Sequence, residues 1–281
     1  MSNENSNMET FIKMNGAGNT FLLHDSRKKF LNVDKQLINK LGIFLDKYTF
    51  DQFIQIVNPE RDGDIHVNFW NADGSKSSMC GNALRCVGHI VQEEENKDKV
   101  ILETADKDIE CWKKNDEISI NIGIPELEYS KIPLSQEIGD TKSIKLDPAP
   151  CELPNFSAIN VGNPHAIFFF DNEQPKLEEI GNLIENHEMF PDKVNVSFAK
   201  VENRNHISVN VWERGTGITK ACGSAACATA VAGSNLGITD RKVTISFIGG
   251  DLKIDWKEDN NIIMTGPFDI EQEIEINLLE L

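Results

Sequence analysis

The sequence has no apolar stretch approaching the roughly 20 residues that a membrane-spanning helix needs. Its longest run, around residues 166–170, is strand-sized. The first ten residues are polar and lack the apolar core of a secretory leader, so the chain reads as cytoplasmic. Basic residues are in deficit: 28 Lys and Arg stand against 45 Asp and Glu, a formal charge of −17. So acidic a surface repels nucleic acid and anionic membranes, and neither is expected as a partner. Metal-site spacing is missing too. The six cysteines are Cys80, Cys86, Cys111, Cys151, Cys222 and Cys227, and no Cys-x-x-Cys pair occurs among them. On a helix turning about 100° per residue, Cys80 and Cys86 point about 240° apart, and Cys222 and Cys227 about 140° apart. Neither pair closes on a zinc ion, so no metal is expected. In a reducing compartment a disulfide framework is not expected either. Gly16-x-Gly18 lacks the third glycine and the preceding strand of a dinucleotide fingerprint and reads as a turn.

What the 281 residues do contain is an ordinary globular composition, 40% hydrophobic and 26% charged, and a repeat. Ile65-His66-Val67-Asn68-Phe69-Trp70 returns as Ile207-Ser208-Val209-Asn210-Val211-Trp212, and the same offset of 142 carries Cys80-Gly81 onto Cys222-Gly223. Ile38 and Leu41 match Ile180 and Leu183 at that offset. Gly18-Asn19 matches Gly162-Asn163, and Trp112 matches Trp256, both at 144. Matches that keep their order along the chain imply two homologous halves.

Each half then reads alike. A strand after the Gly-Asn turn (21–25; 166–170) leads to an amphipathic helix (34–46; 176–187), then to a strand ending at Trp70 or Trp212. A polar, glycine-containing loop follows, then the Cys-Gly and a second helix. The first of these helices carries Leu84, Val87 and Val91 on one stripe. The other, 221–234, has six alanines and little charge, as a buried helix would. Strand-rich stretches close each half (100–122; 243–264). The expected architecture is α+β: two homologous domains from an internal duplication, each a mostly antiparallel sheet or barrel wrapped around a central helix, with the active site in the cleft between them. The expected boundaries are 1–131, a connection at 132–154, a second half at 155–270, and a terminal strand at 271–281 that returns to the first half.

A cysteine in the first turn of a helix has its thiolate stabilised by unpaired amides and the positive helix end. Those amides also bind carboxylates. Two such cysteines facing one cleft suit inversion at a carbon acid, where one group removes an α-proton and the other delivers a proton to the opposite face. A thiol's intrinsic pKa of about 8.5 lets thiolate and thiol coexist near neutral pH after a modest shift. Cys80 and Cys222 are singled out by duplication, the adjacent glycine and the polar approach. Cys86, Cys111, Cys151 and Cys227 are expected to be buried small hydrophobes. His24, His66, His89, His187 and His206 read as structural or surface residues. His165, in a Gly-Asn-Pro-His turn, is a candidate for the site, and Glu213-Arg214, directly after the repeated Trp, for substrate contact.

Lys13-Met14-Asn15-Gly16-Ala17-Gly18-Asn19, Phe50-Asp51-Gln52, Phe69-Trp70-Asn71-Ala72-Asp73-Gly74-Ser75, Cys80-Gly81-Asn82, Gly162-Asn163-Pro164-His165, Glu213-Arg214-Gly215 and Ala221-Cys222-Gly223-Ser224 together resemble the diaminopimelate epimerase family, in order from about Phe11 to the C-terminus. The resemblance implies a cofactor-independent enzyme interconverting L,L- and meso-diaminopimelate in lysine and cell-wall precursor synthesis. Cys80 and Cys222 would be the two bases, by convention donor and acceptor, with His165 and Glu213 tuning them. It also implies substrate contacts from Asn19, Gln52, Asn71, Gly81, Asn82, Asn163, Asn195, Glu213, Arg214, Gly223 and Ser224, and a homodimer. The chain departs from the family pattern at Asn15 (His in the family), Thr20 (Asp), Ala83 and Ala225 (Gly), and Ile218 (an acid). Two rival readings keep the fold: a two-cysteine racemase acting on proline or hydroxyproline, and a non-catalytic protein whose two cysteines form a redox-sensitive disulfide. A set able to grip a second amino-acid head group, Asn71, Asn163, Asn195 and Arg214, argues against the first.

Overall fold

Short alternating apolar runs separated by Gly, Asn and Asp turns dictate strands, and most of this chain is written that way. A computed structural model describes residues 7–45, 50–77, 79–171 and 173–281. It divides into two compact units, Met1–Ile120 with Gly266–Leu281, and Asn121–Thr265.

The first unit runs β1 (Met8–Gly16), β2 (Asn19–Asp25), α1 (Lys35–Phe44), β3 (Gln52–Val57), β4 (Ile65–Asn71), β5 (Lys76–Ser77), α2 (Gly81–Glu95), β6 (Lys99–Glu103), β7 (Asp108–Lys114) and β8 (Glu117–Gly123). The second runs β9 (Phe156–Asn160), β10 (Pro164–Phe169), α3 (Leu177–Glu185), β11 (Asn195–Asn203), β12 (His206–Glu213), β13 (Gly217–Thr219), α4 (Gly223–Asn235), β14 (Lys242–Phe247), β15 (Gly250–Trp256) and β16 (Ile262–Gly266). A last strand, β17 (Asp269–Asn277), pairs antiparallel with β1.

Strand pairing repeats as faithfully as element order. In the first unit β2–β3 and β4–β6 are parallel, and β1–β2, β3–β4, β4–β5, β6–β7 and β7–β8 are antiparallel. In the second, β10–β11 and β12–β14 are parallel, and β9–β10, β11–β12, β12–β13, β14–β15 and β15–β16 antiparallel. The fold is mixed α/β with mostly antiparallel strands. No helix among the described residues is long and apolar enough to cross a membrane.

Helix α1 starts where Asp34 caps it, its carboxylate accepting the Leu37 N–H at 2.8 Å. The expected far end, Asp46, lies outside the described residues. Ile38 and Leu41 pack with Phe11, Leu22, Phe53 and Trp70. Strand alternation leaves the buried Phe21, Leu23 and Ile54 for the opposite face. Helix α2 contacts β1, β2, β6 and β7 and is buried continuously from Asn82 through Gly88, while its start, Cys80–Gly81, is half-buried. In the second unit α4 is buried continuously from Ala225 through Gly233 and contacts β9, β10, β11, β14 and β15. Alanines let strands approach it from several directions, which a Leu-sized side chain would prevent.

Two sequence expectations need correcting. Leu183, matched to Leu41, is 55% exposed, whereas Ile184 is fully buried. The inward faces therefore align Ile38 and Leu41 with Gly181 and Ile184, one residue further along, because a helix face is set by packing and not by residue identity. Cys151 is exposed, unlike the buried Cys86, Cys111 and Cys227. It lies in the irregular stretch between Pro148 and Pro154, while Ile132, Leu134, Ile144 and Leu146 supply that segment's packing into the second unit's core.

One buried carboxylate fixes a loop. Glu103 on β6 is fully buried and accepts backbone N–H groups of Glu60 (2.7 Å), Arg61 (2.8 Å) and Gly63 (2.9 Å). Burial pushes its carboxyl up, but these amides and the Arg61 charge hold it below the ordinary range. Glu103→Gln turns an NH₂ toward a backbone donor and is expected to cost about 2 kcal/mol at pH 7. Because the native pKa is lowered, this carboxylate's stabilisation is complete above the unfolded value of about 4.3 and is lost as pH falls through the native one. Urea unfolding of both proteins at neutral pH and at successively lower pH checks this: the gap narrows on acidification.

Candidate active site

Both singled-out cysteines are helix N-caps in nearly the same extended conformation. Cys80 has φ −134° and ψ 112°, and Cys222 φ −137° and ψ 117°. Each carbonyl accepts the first helical hydrogen bond, from Leu84 and Ala226, at 3.0 Å. Neither sulfur caps its helix. The amides that follow, Gly81–Asn82 and Gly223–Ser224, have no carbonyl one turn earlier to bond, which leaves two anion-attracting helix starts.

In the first unit, Gln52 and Asn71 face each other across β3 and β4, with the Gln52 Nε2 donating to Asn71 Oδ1 at 3.2 Å. Asn71 also donates to Ser75 Oγ at 3.0 Å. Asn82, 2% exposed, donates to Asn19 Oδ1 at 3.4 Å. The β1 turn approaches α2 so closely that a Cβ on Gly16 would lie 2.8 Å from the Asn82 carbonyl oxygen. Asn15 accepts the Gly18 N–H at 2.9 Å and so closes that turn. Thr20 donates its N–H and hydroxyl to Asp51 Oδ2 at 2.8 and 3.0 Å. Cys80, Asn19, Gln52, Asn71, Gly81 and Asn82 therefore sit on four adjoining pieces of one unit: the β2 start, the β3 start, the β4 end and the α2 start.

In the second unit the Cys222 thiol donates to Glu213 Oε2 at 3.2 Å and lies 3.4 Å from Ser224 Oγ. Thr219 donates its hydroxyl to the other Glu213 oxygen at 2.5 Å. Burial, then the Glu213 charge, push the Cys222 thiol well above its ordinary pKa, so it stands protonated at neutral pH. His165 is fully buried, with Nε2 2.9 Å from Asn163 Oδ1. Its pKa is pushed down to about 3 by burial and by the Arg214 charge. The imidazole is therefore neutral, donates from Nε2 to the Asn163 carbonyl, and presents Nδ1 as an acceptor. Asn195 ties this turn to the next: its Nδ2 donates to the Pro164 carbonyl and its Oδ1 accepts the Arg214 N–H, both at 2.9 Å. Arg214 reaches the Asp192 carbonyl at 3.0 Å.

Buried polar atoms without partners occur at Gln52 Oε1, Asn82 Oδ1 and His165 Nδ1. Each such atom costs about 1–3 kcal/mol unless something bonds it. Orphans also occur further along the same two helices, at Gln92 Oε1 on α2 and Thr229 Oγ1 on α4, so an orphaned atom alone does not mark a site. Cys86 and Cys111 are pushed up to about 12 by burial and are inert at neutral pH. Among the described residues no three His, Cys, Asp or Glu side chains gather to hold a metal ion. Of the family departures, Ala83 and Ala225 are fully buried and Ile218 is 44% exposed.

Sequence reasoning missed two side chains that shape the second group: Thr219, three residues before Cys222, and Glu185, 3% exposed on α3. Glu185 had a signal. The stripe Leu177, Gly181, Ile184, Glu185 follows the spacing of an inward helix face, and a charge there demands partners.

A family model for diaminopimelate epimerase matches residues 11–128 and 157–270. A diaminopimelate epimerase of Wolbachia sp. subsp. Drosophila simulans is 43% identical, covering 95% of this chain and 98% of the relative. One from Afipia carboxidovorans is 40% identical, covering 94% and 93%. Among solved structures, a hydroxyproline epimerase from Agrobacterium vitis shares the fold, with a TM-score of 0.68 at 10% identity over 97% of this chain and 93% of that one. The chain belongs to the diaminopimelate epimerase family, isomerases acting in lysine biosynthesis.

Proposed function

We propose that the protein interconverts L,L- and meso-diaminopimelate without a cofactor, with Cys80 and Cys222 as the two bases acting on opposite faces of one α-carbon. The observation that carries this reading is the pair of cysteine N-caps, nearly the same in conformation and each followed by helix-start amides that have no carbonyl within the helix to bond. In one direction the Cys222 thiol delivers a proton while Cys80 removes one; in the other the roles exchange. Glu213, already accepting the Cys222 proton, is the group that can take it before Cys222 acts as a base. The amides of Gly81–Asn82 and Gly223–Ser224 suit the reacting carboxylate and the charge that builds beside it. Asn19, Gln52, Asn71, Asn163 and Asn195 offer donors and acceptors for amino-acid groups, and the Arg214 fork suits the far carboxylate. The matched element order and strand pairing of the two units support an internal duplication. The family resemblance supports a homodimer, which light scattering tests, and a cytoplasmic location.

Proton NMR of L,L-diaminopimelate in D₂O with reduced protein tests the reading. Loss of the α-proton signal with appearance of the meso isomer is expected. Folded protein with free thiols that exchanges proline or hydroxyproline, and not diaminopimelate, would favour the racemase. If Arg214 holds the far carboxylate, Arg214→Met should raise KM about 30-fold, the equivalent of losing charge-assisted bonds worth about 2 kcal/mol. Initial rates against substrate concentration check it, with kcat changing less than KM.

A further inference from the structure

We propose that Glu185 is a positioning residue that clamps the Glu213–Arg214 turn from both sides and thereby sets the Glu213 carboxylate on the Cys222 thiol. This rests on the reading of Cys222 as a base. One Glu185 oxygen, Oε2, accepts the indole N–H of Trp212 at 2.7 Å. The other, Oε1, accepts the backbone N–H of Gly215 at 2.9 Å and has the Lys193 ammonium at 3.5 Å. Trp212 and Gly215 are the residues immediately before and after Glu213–Arg214, so one buried carboxylate holds both ends of the pair. The helix is held in turn by the tryptophan: a Cβ on Gly181 would lie 2.6 Å from the Trp212 ring, so α3 and the indole are in direct contact.

The first unit solves the same problem differently. Its turn is braced internally, by Asn71 to Ser75 Oγ (3.0 Å) and by the Ser75 N–H and hydroxyl to Asp73 Oδ1 (2.8 and 2.6 Å). The α1 position aligned with Glu185 is Gly42, whose α-carbon faces open space. A clamp on one unit only fits a role tied to what that turn alone carries, a carboxylate against a thiol. An ionised carboxylate, acceptor on both oxygens, can satisfy two donors at once. A glutamine can satisfy only one, and its NH₂ then faces the other donor.

The test is Glu185→Gln in the full-length protein, with Cys222 alkylation by iodoacetamide followed against pH by mass spectrometry of its peptide. The groups facing this thiol, the Glu213 carboxylate and the Ser224 hydroxyl, are left in place. If the clamp sets Glu213, the alkylation profile of Cys222 moves to lower pH, as it also should in Glu213→Gln, and the Trp212 indole and Gly215 amide resonances shift. The value of kcat falls about tenfold to a hundredfold, with a smaller change in KM, as expected for misplacing a catalytic group by a fraction of an ångström. A folded Glu185→Gln protein with the parental Cys222 profile overturns the proposal. If that variant does not fold, Trp212→Phe, which removes one donor and leaves the carboxylate, should move the profile the same way by less; an unmoved profile there overturns it equally. Failure of the parent protein to exchange the α-proton of diaminopimelate would defeat the functional reading and leave this thiol measurement intact.

Discussion

Replacing either Cys80 or Cys222 by alanine is expected to lower the epimerisation rate by about a thousandfold or more, at the upper end of what one general acid or base contributes. Both residues are N-caps without a side-chain capping bond, but the buried Cys222 thiol also donates to Glu213, so the melting temperature of each variant has to be measured beside its rate. A folded variant whose turnover has collapsed reports lost chemistry. The two variants should also differ in a way that one shared base could not produce. Each keeps the thiol of one face, so each should still wash solvent deuterium into one isomer's reacting centre and not into its mirror configuration. NMR of L,L- and meso-diaminopimelate in D₂O with each variant reads both results. Equal residual exchange of both configurations by either variant would defeat the division of labour between the two sulfurs.

The features that made this site legible in the sequence are those that a local segment writes for itself. Cys80-Gly81 and Cys222-Gly223 open helices because a polar loop ends there and an apolar helical period begins, and both signals lie within a dozen residues. The repeated strands ending at Trp70 and Trp212 were legible for the same reason. Burial across elements was not. Leu183 reads as well as Ile184 for an inward position, and only packing against Trp212 and its neighbours selects Ile184. Cys151 reads like the other small apolar residues until the chain around it is seen to send Ile144 and Leu146 inward instead. Long-range polar pairs were the least visible. Glu185 and Gly215 are 30 residues apart, and nothing in either segment announces the other. The protonation state of His165 belongs to this class too, since burial and the Arg214 charge, 49 positions away, keep it neutral.

The sharpest chemical test falls on Glu213, where thiol reactivity and turnover should move in opposite directions. Two causes raise the Cys222 thiol: burial first, then the Glu213 carboxylate. Glu213→Gln removes the second and leaves the first, so the thiol should titrate lower than in the parent, though still above an ordinary cysteine. The amide oxygen can keep the Thr219 hydroxyl that now bonds Oε1, which turns the NH₂ toward Sγ, where it favours the thiolate further. Alkylation of Cys222 at a fixed mildly alkaline pH should therefore be faster in the variant. Turnover should nevertheless fall about a hundredfold, because an amide cannot accept the proton that Cys222 must lose before acting as a base. A Glu213 that only stands by makes a different forecast: a slightly altered thiol titration and near-parental kcat. Both directions start from a pair of sulfurs sharing one proton, and the ratio of their kcat/KM values is fixed by the equilibrium constant. The parent should therefore show the same bell-shaped pH profile in either direction, with its alkaline limb following the titration of the raised Cys222 thiol. In Glu213→Gln that alkaline limb should shift to lower pH in both directions alike, and a limb that stays where the parent has it would remove Glu213 from the control of this sulfur.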